Sequence, residues 1–146
     1  MKKHSLKKLL SLILCAVLIA AMALNFTGCS DTMTTELWET KTFANGDVLG
    51  QGSKEFTLIV IDAEGTETTA TVYTEKATVG EALLELELIN GSQEAYGIYV
   101  KAVNGKIYDY DTDGKYWAFY IDGEYAMTGI DQTEIQEGVV YTLKAE

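Results

Sequence analysis

Arginine is absent, histidine occurs once, at His4, and cysteine occurs only at positions 15 and 29. These shortages exclude several chemistries. Beyond the apolar leader that ends near residue 24 the chain has no His, no Arg and no pair of thiols. Ser–His and Cys–His nucleophile pairs, His-ligated zinc and Arg clamps on phosphate are therefore ruled out there. No disulfide is available, so the core alone must hold the fold. Positive charge is scarce as well: 11 lysines face 22 acidic residues, and four of the lysines fall within the first eight positions. Without that leader, seven lysines remain against all 22 acids, a net charge of −15. A surface of that sign is repelled by nucleic acid and by anionic lipid or wall polymers. Two carboxylates could in principle cleave a glycosidic bond, but so many acids form pairs by chance, and a small domain offers little depth for a sugar cleft. The expectation is a chain with no catalytic residue, a binding module and not an enzyme.

The N-terminus addresses the chain. Lys2, Lys3, Lys7 and Lys8 precede an uncharged run from Leu9 to Leu24. That run is shorter than the roughly 20 residues of a membrane-spanning helix, which favours a signal peptide. Asn25-Phe26-Thr27-Gly28-Cys29 follows. A small residue directly before a cysteine at the end of an apolar run resembles the lipobox of bacterial lipoproteins. The resemblance implies removal of residues 1–28, diacylation of Cys29 and anchorage on the extracytoplasmic face of the cell membrane. An ordinary cleaved signal and an uncleaved anchor are the alternatives, and both also place the rest outside the cytoplasm.

Residues 29–54 are rich in Thr, Ser, Gly and Asn with little periodicity and read as a lipidated Cys followed by a flexible tether. Trp38 within it is either a docking residue or incidental. Residues 55–146 are enough for one small domain. Phe56 to Ile61 and Thr66 to Thr74, joined at Ala63-Glu64-Gly65, read as a β-hairpin. Val79, Ala82, Leu83, Leu86 and Ile89 then form one helical stripe, started by a Thr78/Glu81 capping box and stopped at Asn90-Gly91. Short strands follow: Gly97 to Val103, turning at Asn104-Gly105 into Lys106 to Tyr110; Tyr116 to Ile121, turning at Asp122-Gly123 into Glu124 to Met127; and Val139 to Lys144. That order predicts an α+β, β-grasp-like fold, a single mixed sheet with one helix packed across it.

Three pieces resemble one family: Thr78-Val79-Gly80-Glu81-Ala82-Leu83-Leu84; Tyr96-Gly97-Ile98-Tyr99-Val100 running to Val103-Asn104-Gly105; and Tyr116-Trp117-Ala118-Phe119-Tyr120-Ile121-Asp122-Gly123 with Gly129-Ile130 and Glu137-Gly138 after it. In order and spacing they are similar to the transcobalamin-like domain, DUF4430, found at the C-terminus of vertebrate cobalamin carriers and alone in bacterial surface lipoproteins. In the carriers this domain covers one face of a corrinoid and a large helical domain covers the other. The resemblance implies a ligand-binding site formed by Tyr96, Gly97, Ile98, Tyr99 and Val100 on one segment and Trp117, Ala118, Phe119, Tyr120, Ile121, Asp122 and Gly123 on another. It also implies cobalamin or another corrinoid as ligand, with no resident cofactor; the use expected of such a protein is to hand that ligand to an uptake transporter in the same membrane. The chain departs from the carriers in having no helical domain and in placing Val139 after the Glu137-Gly138 turn.

Two local patterns remain. Asp109, Asp111, Asp113 and Gly114 mimic the first half of an EF-hand loop, but Tyr120 stands where the bidentate Glu should be; a solvated Asp/Gly β-turn without a metal is the favoured reading, and a weak, millimolar-range calcium site is the alternative. Nine aromatic residues crowd between Tyr96 and Tyr125. Alternation sends Tyr116, Ala118 and Tyr120 to one strand face and Trp117, Phe119 and Ile121 to the other. One face must be core. The other is either a platform for a macrocycle, glycan or protein or a set of cross-strand pairs that only stabilises the sheet.

Overall fold

The computed structural model describes residues 38–146; the expected signal peptide, the expected lipidation site Cys29 and the first part of the expected tether lie outside the described residues. Its centre is a hairpin. In β2 (Lys54–Ile61) Phe56, Leu58 and Val60 are buried, and in β3 (Glu67–Thr74) Ala70, Val72 and Thr74 are, as period-two alternation dictates. The Asp62 carboxylate accepts from the Glu64 and Thr66 amides at 3.0 and 2.9 Å and fixes the turn between the strands.

Helix α1 (Val79–Glu85) starts where its capping box places it. The Thr78 hydroxyl accepts from the Glu81 amide and the Glu81 carboxylate accepts from the Thr78 amide, both at 3.3 Å. Its end differs from the sequence expectation. The helix stops at Glu85 with Leu86 as C-cap, and Glu87, not a glycine, takes the left-handed conformation at φ +58°. Leu88 N–H donates to Leu83 O at 2.9 Å and Glu87 N–H to Leu84 O at 3.0 Å, the two bonds of a Schellman stop. Ile89, assigned to the helical stripe, instead opens a strand. Thr78→Ala should lower unfolding stability by about 1 kcal/mol, read as a lower urea midpoint at unchanged slope.

Strand β4 (Ile89–Glu94) pairs antiparallel with β5 (Gly97–Val103), which pairs with β6 (Lys106–Ile107) through the Asn104-Gly105 turn. This three-stranded antiparallel sheet is additional to the mixed sheet. Gly91 is not a helix stop but a close-approach position: a Cβ there would stand 2.0 Å from the Tyr99 carbonyl oxygen. After the short helix α2 (Tyr110–Asp113) come β7 (Trp117–Ile121), β8 (Glu124–Tyr125), a 3-10 turn at Ile130–Gln132 and β9 (Val140–Ala145). With β1 (Asp47–Gly50) at one edge, the mixed sheet runs β1-β3-β2-β9-β7-β8, with β2 and β9 parallel at its centre. Phe56, Leu58, Val72, Tyr141 and Leu143 from this sheet meet Val79, Ala82 and Leu83 of α1 in one core.

The first strand, β1 (Asp47–Gly50), lies inside the segment read as tether and pairs parallel with β3. The residues before it are also built in. Phe43 is buried, its amide donates to Asn104 Oδ1 at 2.8 Å, and the Gly105 amide donates to Thr40 Oγ1 at 2.7 Å. The folded unit therefore begins well before position 55; contacts between distant residues, which local composition does not reveal, hold this segment down.

Candidate functional site

Strands β5 and β7 belong to different sheets, and a cleft of about 210 Å³ opens between them. Ile98, Tyr99 and Val100 form one wall and Trp117 and Phe119 the other. Tyr116, Tyr125 and the stretch through Ala126, Thr128, Gly129 and Ile130 complete it. Of the twelve residues implied by the family resemblance, these five wall residues come together at the cleft. The other seven do not line it. Tyr96 is 74% exposed and Ala118 is buried away from it. Tyr120 lies half-buried across the strand, its ring edge-on to Tyr125 at 5.6 Å. Ile121 packs on the core. Asp122 is a structural turn residue: its carboxylate accepts from the Val140 amide at 2.9 Å, and with Gly123 it takes the positive φ angles, +48° and +84°, of a tight hairpin. Gly97, at φ +124°, backs onto the Asp131 carboxylate.

The rings are arranged differently from an open platform. Trp117 is 6% exposed, packed at 5.1 Å against Tyr108, and Phe119 lies stacked on Tyr141 at 6.0 Å. The Trp117/Phe119 set thus faces inward and forms the cleft's floor. Tyr110 with Tyr116 and Tyr120 with Tyr125 make edge-to-face pairs, and Tyr116 and Tyr125 also border the cleft. Alternation correctly separates the two faces; it does not determine which of them the rest of the chain covers. The loop at 126–130 escaped sequence reading because it has no periodicity, although Gly129-Ile130 was the signal for it.

The Tyr120 hydroxyl donates to Glu146 Oε1 at 2.5 Å, and that bond, ahead of desolvation, pushes the phenol up to about 12. The neutral phenol is favoured in the folded state, so this stabilisation is complete below the ordinary tyrosine range near 10 and is lost as pH rises through about 12. Tyr73, hydrogen-bonded to Glu55, and Tyr116, by burial, are raised as well, so phenolate absorbance should show several tyrosines ionising late, and Tyr120→Phe should remove the last of those steps.

Lys101 is held by Asp109 at 2.7 Å, a bond that raises the lysine and lowers the carboxyl, and its Nζ lies 5.5 Å from the ring centres of both Trp38 and Tyr99. Trp38 is therefore a docked residue. Asp109 also caps α2 by accepting from the Asp111 amide at 3.0 Å, and Asp113 accepts from the Asp109 amide at 2.9 Å. The Asp109 and Asp113 carboxylates are engaged with a lysine and the backbone, in a short helix where a β-turn was expected. Among the described residues no group of three or more His, Cys, Asp or Glu is placed to hold a metal ion.

An α+β domain of the β-grasp kind, with a cleft where a small antiparallel sheet meets the main one, is the class that these features define. Residues 76–145 match the family described as Domain of unknown function (DUF4430). No curated protein matches the chain. Among solved structures it is similar to one described as "a putative metal binding protein from Ruminococcus gnavus ATCC 29149", with a TM-score of 0.61 and 28% identity over 64% of this chain and 97% of that one. It is also similar to haptocorrin in complex with Cbi, with a TM-score of 0.47 and 18% identity over 67% of this chain; the chain spans 26% of haptocorrin's length.

Proposed function

We propose that this protein is a lipid-anchored, extracytoplasmic binding module with no catalytic activity of its own, which takes a corrinoid such as cobalamin in the β5–β7 cleft and passes it to an uptake transporter in the same membrane. The observation that carries the reading is the meeting of Ile98, Tyr99 and Val100 with Trp117 and Phe119, two segments far apart in sequence, on one aromatic-walled cleft. The transcobalamin-like character of both segments supports the choice of ligand. A cleft of about 210 Å³ is too small to enclose a corrinoid, so it would hold one edge and leave the rest for a partner. The metal-binding description of the Ruminococcus gnavus protein finds little support in this chain, whose Asp109 and Asp113 carboxylates are already engaged.

Cobinamide titrated into the purified Trp38→Phe protein should quench the fluorescence of Trp117 and shift the corrinoid absorbance. Phe119→Ala should weaken that binding at least about tenfold by removing a wall of the cleft. No spectral change at high micromolar cobinamide defeats the corrinoid reading. A second reading then takes its place, a protein- or glycan-binding adhesion module. Its support is the exposure of Tyr110, Tyr125 and Met127, the last of which is 95% exposed.

A further inference from the structure

A second cavity shares no residue with the lining of the β5–β7 cleft. It measures about 430 Å³, within the range of small-molecule sites, and lies where the β2–β3 turn meets the β5–β6 turn. Val60, which is buried, supplies an apolar floor. Thr68 is paired directly with Val60 across the two strands, so its side chain lies on the same inner face of the sheet. The walls are preformed. The Asp62 carboxylate is fixed through Oδ1 by the Glu64 and Thr66 amides, and Asn104 through Oδ1 by the Phe43 amide at 2.8 Å. The Ala63 amide donates to the Tyr108 hydroxyl at 3.1 Å and ties the first turn to the chain just beyond β6. Lys106 and Glu64, one from each side, pair at 3.8 Å.

These anchoring bonds leave hydrogen-bonding capacity in the lining. Among the described residues nothing accepts from Asn104 Nδ2, nothing donates to Asp62 Oδ2, and the Thr66 and Thr68 hydroxyls have no partner. Asn104 Nδ2 and Lys106 can only donate, the carboxylates of Asp62 and Glu64 only accept, and the threonines do both. The bond from the Thr66 amide holds the Asp62 carboxyl below its ordinary range, which keeps it an acceptor. An anion entering here would meet two carboxylates and one lysine that is already paired. A simple cation would be repelled by Lys106 and would leave the Asn104 donor without an acceptor. Adjacent hydroxyls, each both donor and acceptor, match the whole set. We propose that this cavity binds an uncharged sugar ring through its hydroxyls, at a site separate from the cleft and independent of the ligand assigned there.

D-Glucose, D-galactose and D-mannose titrated into the ¹⁵N-labelled protein make the test. At least one should give saturable, millimolar-range shifts of the amides at 62–68 and 104–106, with the cleft amides at 98–100 and 117–119 unmoved. The uronate of the hexose that binds best, equal in ring and different in charge, should bind at least about tenfold more weakly. Thr68→Val keeps the branched shape and removes the hydroxyl, and should weaken binding at least about fivefold; Lys106→Met, on the opposite wall, should do the same. The methyl glycoside of that hexose separates the two sources of such a ring. Retained binding points to the end of a glycan and lost binding to a free sugar held by its anomeric hydroxyl, and both support the site. No saturable shift at 62–68 and 104–106 with any of the three hexoses overturns the proposal. So does a uronate binding as tightly as its hexose, normal binding in both variants, or hexose shifts at the cleft in place of this cavity.

Discussion

Tyr141→Ala should lower the unfolding free energy by about 3–5 kcal/mol, the range for deleting a large aromatic side chain from a packed core. Tyr141 is 1% exposed and sits on β9 between two rings, edge-on to Phe56 at 5.3 Å and stacked with Phe119 at 6.0 Å. Its hydroxyl accepts from the Gln136 amide at 3.0 Å and donates to the Glu134 carbonyl at 3.2 Å, so the side chain also ties down the approach to β9. Tyr141→Phe keeps the ring and removes only those two bonds, and should cost about 1–3 kcal/mol. The difference between the two variants isolates the packing contribution. Both are read as urea midpoints at constant slope. Because Phe119 is a wall of the cleft, Tyr141→Ala should also weaken ligand binding in protein that remains folded, whereas a Tyr141→Phe protein should bind normally.

The second large effect is expected at Gly97. Its φ of +124° lies in a region that side-chain-bearing residues rarely occupy, which alone costs about 1–3 kcal/mol. A Cβ there would also stand 2.6 Å from Asp131 Oδ1 and 3.1 Å from its Cγ. Gly97→Val therefore must push apart β5 and the 3-10 turn at Ile130–Gln132, the two elements that carry Ile98 and Ile130 into the cleft. Stability should fall by more than the backbone cost, and ligand affinity should fall with it. Gly138→Ala is the control: φ is +77° but an added methyl meets nothing within 4 Å, so only the backbone cost should appear, with binding unchanged. Equal losses of affinity in the two variants would show that Gly97 does not shape the cleft.

Much of the fold could be read from residues whose signals are local. Thr78 and Glu81 satisfy each other across one helical turn, and Asn104-Gly105 and Asp122-Gly123 adopt the positive φ angles that short hairpins demand. What was not legible depends on distant partners. The helix ends early because Glu87 accepts a left-handed conformation that would ordinarily favour glycine, stabilised by bonds back to Leu83 and Leu84. Strand β4 is too polar, from Asn90 to Glu94, to resemble a strand; pairing with β5 makes it one. Residues 38–50 join the domain through Phe43, Thr40 and the β1–β3 pairing, none of which composition reveals. At the site, the β5 and β7 segments carried a recognisable pattern, while Trp117's inward orientation follows from which face the remaining chain covers.

Backbone amide shifts on adding cobinamide probe the site most directly. The account predicts saturable changes clustered at 98–100, 117–119 and 126–130, the three stretches that meet at the cleft between β5 and β7. Changes confined to Tyr110 and Tyr120, which do not line the cleft, with the cleft amides unmoved, would contradict it.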